Sequence, residues 1–160
     1  MRRLEVFGIF AWTRFNVVKS PPNPTAPEAV EVLRGIQSVT NVGITYMEYS
    51  RRVLDATIKV DQFERSDDLR KEAKREAGAA MRCYQLAGQI WSAGIGKEWE
   101  NQKRNLTSLW ADPALSQCPG IVSMSQQNRD EAWMYGKEIF VGPLWACAGP
   151  HIDKAAKLLR

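Results

Sequence analysis

Residues 29–63 read AVEVLRGIQSVTNVGITYMEYSRRVLDATIKVDQF, and alternating steps of three and four through them pick out Val32, Gly35, Val39, Val42, Tyr46, Tyr49, Val53, Ala56, Val60 and Phe63. That row holds no charged residue. Such spacing predicts one long helix or two stacked end to end. A second apolar row, Leu33, Ile36, Met47, Leu54 and Ile58, widens the predicted buried face beyond a two-stranded coiled-coil stripe and implies at least two packing neighbours. Glu48 with Arg52, Arg51 with Asp55 and Asp55 with Lys59 are spaced to pair along the outer side. Thr40-Asn41-Val42-Gly43 is the weak point, because glycine costs about 1 kcal/mol relative to alanine inside a helix.

Downstream, Ser66 followed by Asp67 and Asp68 reads as an N-cap with acids in the first turn, so a second helix is expected to start there. Its row is Leu69, Ala73, Ala77, Ala80, Tyr84, Ala87, Trp91 and Ile95, with Gly94 and Gly96 as terminators. A turn at Arg65-Ser66 folds the two rows into an antiparallel hairpin. The expected register sets Ala73, Ala77 and Ala80 against the Ala56-to-Tyr49 part of the first row, and Tyr84 and Trp91 near Tyr46, Val42 and Val39. An aromatic zone then forms where the hairpin opens.

The second half predicts shorter pieces. Lys97 to Trp110 has helical spacing, Ala114 to Ser125 reads as a loop, and a helix is expected from Asn128 to about Val141, where Gly142-Pro143 interrupts it. Leu144 to Ala148 reads as one more turn before Gly149-Pro150, and Ile152, Ala155, Ala156 and Leu159 as an amphipathic end. The fold class is all-α: a long antiparallel helical hairpin completed by two or three shorter helices into an irregular bundle. Residues 1–26 form an N-terminal arm and proline-rich linker, and residues 27–160 a single bundle, with the first helix starting near Ala26.

At 160 residues, with 44% apolar and 25% charged, the chain has the composition of a globular domain. Its formal charge of +4 is concentrated early. Residues 1–26 hold four of the 22 basic residues against one of the 18 acidic ones, which leaves a nearly neutral remainder. Arg70, Lys71, Lys74 and Arg75 alternate with Asp67, Asp68, Glu72 and Glu76, as on a solvated helix face, so no nucleic-acid partner is expected. No apolar run is long enough to span a membrane. The arm, with Arg2, Arg3 and an apolar run from Val6 to Trp12, has some features of an export signal. Glu5, Arg14 and the lack of a small-x-small site argue instead for a native arm or an upstream start codon. The cytoplasm is slightly favoured.

No motif fixes a chemistry. There is no G-x-x-x-x-G-K-S/T, G-x-S-x-G or E-x-x-H helical motif, and no cofactor is expected. Glu98 with Glu100, Asp67 with Asp68, and Asp130 with Glu131 sit where helix ends explain them. His151, the only histidine, stands four residues after Cys147, but Gly149-Pro150 between them argues against a shared metal or thiol–imidazole site and for a surface histidine. Three cysteines allow one bridge, from Cys118 to Cys83 or to Cys147. The remaining signal is aromatic: Tyr46, Tyr49, Tyr84, Trp91, Trp99, Trp110, Trp133 and Trp145 are the candidate binding residues. The leading expectation is a non-enzymatic binding or interaction protein with a protein partner or a second copy. The alternatives are an exported small-ligand carrier or sensor with one disulfide, and an enzyme whose site carries no recognisable motif.

Overall fold

A computed structural model describes residues 26–95, 118–122 and 140–160, which form helices joined by short turns, with no strand among them. The helices are α1 (Ala26–Val42), α2 (Tyr46–Arg65), α3 (Lys71–Ile95), α4 (Pro119–Val122) and α5 (Gly142–Leu158). They pack around one shared apolar core as an all-α bundle. No described helix is long and apolar enough to cross a membrane.

The opening stretch is two helices. Gly43 adopts φ +112, which ends α1, and its N–H donates to the Val39 carbonyl at 3.0 Å. Thr45 then caps α2, its hydroxyl accepting from the Glu48 N–H at 3.3 Å. Thr45-x-x-Glu48 is capping-box spacing, a local signal that the apolar row conceals. Three non-helical residues reset the helical phase, so the predicted seam does not run through. In α1 the buried residues are Ala26, Ala29, Val30, Leu33 and Ile36, whereas Val42 is exposed. In α2 they are Tyr49, Ala56, Val60 and Phe63, while Met47, Leu54 and Ile58 face outward. The second row therefore splits: its α1 members are core and its α2 members are surface.

Ser66 is not the N-cap of the next helix. Its N–H and hydroxyl both donate to the Phe63 carbonyl, at 3.1 and 2.6 Å, and so close α2. Asp68 accepts instead, from the Arg70 N–H at 2.9 Å and from the Arg70 guanidinium, which together hold its carboxyl down to about 2. The helix starts only at Lys71, and Leu69, expected in the core, is exposed. With a loop over 66–70 the hairpin register also shifts. Gln85 donates to the Thr57 hydroxyl at 3.2 Å and Gly78 faces the Glu64 carboxylate, so the alanines lie closer to the Phe63 end of α2 than predicted. Gly94 does not stop α3.

Helix α5 is the largest departure. It runs unbroken through Gly149-Pro150, and Gly142-Pro143 begins it. A proline in the first turn costs no hydrogen bond, but Pro150 inside the helix opposes it by about 3 kcal/mol. What outweighs that cost is one continuous buried face, Leu144, Cys147, Ala148, Ile152 and Ala155. This face meets α3, the most extensive contact in the bundle, so α3 lies between α2 and α5, while α1 packs chiefly on α2 and α5 and α4 packs on α5. Pro119–Val122, predicted as loop, forms the short α4. The predicted helix at Lys97–Trp110, most of that at 128–141, Gly96, and the tryptophans Trp99, Trp110 and Trp133 lie outside the described residues.

Candidate functional site

Three polar or aromatic clusters interrupt the apolar core. The first lies where α2, α3 and α5 converge. Trp91 packs against Tyr46 at 5.6 Å and Tyr49 at 5.5 Å between ring centroids. Trp145 packs against Tyr49 at 5.5 Å and Trp91 at 5.7 Å. The Tyr49 hydroxyl donates to the Tyr84 backbone carbonyl at 2.7 Å. Five of the eight aromatic candidates, Tyr46, Tyr49, Tyr84, Trp91 and Trp145, are thus brought together, and Tyr46 and Trp145 are the half-buried members at its edge. The Tyr84 hydroxyl is buried with no hydrogen-bond partner among the described residues, and the buried Trp145 indole N–H interacts with the Tyr49 hydroxyl. Burial pushes the Tyr49 and Tyr84 hydroxyls above the ordinary phenol range, so both stay protonated and neither serves as a base.

The second cluster crosses the α3–α5 contact. Glu76, read from the sequence as one acid of a solvated face, is buried. His151 Nδ1 lies 2.7 Å from one of its carboxylate oxygens and Lys154 Nζ donates to the other at 2.9 Å. Lys154 also reaches Glu72 at 3.2 Å, and Arg75 approaches Glu76 at 3.6 Å. His151 is therefore a half-buried partner of a buried carboxylate, not a free surface histidine. Residues 147 and 151 do share one uninterrupted helix. Even so, Cys147 is committed to a disulfide and His151 Nδ1 to Glu76, so the two form no thiol–imidazole pair.

Burial disfavours the Glu76 charge, but the hydrogen bonds from His151 and Lys154 outweigh it and hold its carboxyl below the usual range. The sign follows: a carboxyl depressed in the folded state stabilises the fold above its ordinary range near 4.5, and loses that contribution as pH falls through the depressed value. Glu76→Gln is expected to cost about 1.5–3 kcal/mol near neutral pH, the worth of hydrogen bonds to a charged group. The deficit should shrink on acidification. Urea titrations of both proteins at about pH 7 and about pH 3 check this; a pH-independent deficit would mean that shape, not charge, matters at Glu76.

The third cluster is sulfur. Cys118, at the head of α4, is joined to Cys147 on α5. Cys83 on α3 lies beside them, all three sulfurs falling within 4.8 Å of one another in the buried core. No local spacing announces this trio, which the α3–α5 packing assembles. Comparison of the chain with protein-family models, curated proteins and solved structures returned no match.

Proposed function

We propose that the chain is a non-enzymatic helical interaction protein that docks through the outward face of α2, with a second copy of itself as the partner. The supporting observation is the exposure of Met47, Leu54 and Ile58, at 83, 61 and 49%. They stand in steps of seven and four, one stripe on a helix whose opposite face is already used by the core. Exposed single apolar residues need no explanation, but three aligned on one face do.

Charge favours a copy over an unrelated partner. The exposed Arg51 and Asp55 lie within the stripe. Two α2 helices laid antiparallel about residues 52–53 set Met47 of one against Ile58 of the other. They also set Arg51 of one beside Asp55 of the other. Every contact is then made twice, as a two-fold interface requires. Twenty residues of helix provide about 30 Å of length for it. Size-exclusion chromatography with light scattering of the full chain tests the idea. A dimer mass that Leu54→Asp converts to a monomer is expected, with far-UV circular dichroism unchanged. A monomer at every concentration would sink it.

A second reading, an exported small-ligand carrier or sensor, is favoured by the disulfide and by the partnerless Tyr84 hydroxyl in the aromatic cluster. Thiol counting on denatured protein from its native source separates the two readings. Three reactive thiols per chain would remove the carrier.

A further inference from the structure

Cys83, Cys118 and Cys147 come from α3, from the head of α4 and from α5, yet their sulfurs all lie within 4.8 Å of one another. None is more than 8% exposed. Among the described residues no histidine or carboxylate joins the group. His151, one helical turn beyond Cys147, is held by Glu76 instead. The donor set is three buried sulfurs.

We propose that reduction of the Cys118–Cys147 disulfide converts this trio into a binding site for one copper(I) ion. Thiolates are soft donors that select copper(I) and zinc among common metals. Zinc takes four ligands in a closed site, or three plus water in an open one. A buried three-sulfur site offers neither arrangement, whereas copper(I) is satisfied by two or three thiolates. Burial alone raises a thiol's proton affinity, and coordination reverses that by binding the deprotonated form.

The chemistry balances in two steps. A dithiol reductant breaks the Cys118–Cys147 bond, delivering two electrons and two protons, and leaves as its own cyclic disulfide. Each sulfur that then ligates copper(I) releases its proton to solvent and shares a lone pair with the metal, whose oxidation state does not change. The disulfide is in this sense the closed form of the site.

The test uses the full chain, reduced anaerobically with a dithiol and desalted, then titrated with copper(I) supplied as its bicinchoninate complex. One equivalent should transfer per reduced chain, and the thermal midpoint of that chain should rise. The oxidised chain should take none. Cys83→Ser keeps the disulfide and with it a folded reference. Its reduced form should bind at least about tenfold more weakly, since losing a ligand costs no less than losing an outer-shell partner. Transfer to the oxidised chain, equal affinity in Cys83→Ser, or tighter binding of zinc(II) would each overturn the assignment. Should the reduced chain lose helix, far-UV circular dichroism during titration decides: copper(I) must restore it, and transfer without recovery also refutes the site.

Discussion

Tyr49→Ala is expected to lower the free energy of unfolding by about 3–5 kcal/mol, the range for deleting a buried aromatic ring. The ring is fully buried and touches Trp91 on α3 and Trp145 on α5 while standing on α2, so three helices share it. A hole at that point cannot be filled by one side chain relaxing, because the surrounding rings are themselves wedged against one another. Tyr49→Phe separates the two parts of the effect. It keeps the ring and removes the hydroxyl that donates to the Tyr84 carbonyl and interacts with Trp145, for about 1 kcal/mol. Urea midpoints with unchanged slope measure both differences. A cost below about 1 kcal/mol for Tyr49→Ala would mean that the three-helix junction does not close around this residue.

That junction was partly legible. The steps of three and four place Tyr46, Tyr84 and Trp91 toward one end of a hairpin, and Tyr46 does meet Trp91 there. Trp145 could not be placed, because Gly149-Pro150 reads locally as a helix stop and only the α3 contact keeps α5 continuous. The misreadings share a cause. Glu76 resembles Glu72 in sequence, yet it is buried because α5, 75 residues away, covers it with His151. Met47, Leu54 and Ile58 resemble core residues, yet the turn at Gly43 rotates them outward. Local periodicity states which residues can share a face; which face is covered depends on partners distant in the chain. Two local signals were nevertheless present. Thr45-x-x-Glu48 marks the start of α2. His151 and Lys154, three apart on α5, offer a complementary pair to an acid on a neighbouring helix.

Opening the Cys118–Cys147 bond should cost about 3–4 kcal/mol, from the loop entropy of a bridge spanning 29 residues. For a chain of this length that corresponds to a fall of roughly 10 °C in thermal midpoint. The loss should not be uniform. Helix α4 has four residues, far below the length at which a helix persists alone. It is held by the bridge, by the buried Ile121 and by its packing on α5. The α3–α5 face has separate support in Ile152, Ala155 and the Glu76–His151 pair, none of which involves the bridge. Hydrogen exchange distinguishes local from global opening. In the reduced chain the Ile121 amide, which donates to the Cys118 carbonyl at 2.9 Å, should lose protection, while amides in the middle of α3 keep theirs up to the lowered global stability. Equal protection at Ile121 with and without the bridge would show that packing alone holds α4. Collapse of protection throughout α3 would show instead that the bridge, and not the burial of Leu144, Ile152 and Ala155, is what keeps α5 on the bundle.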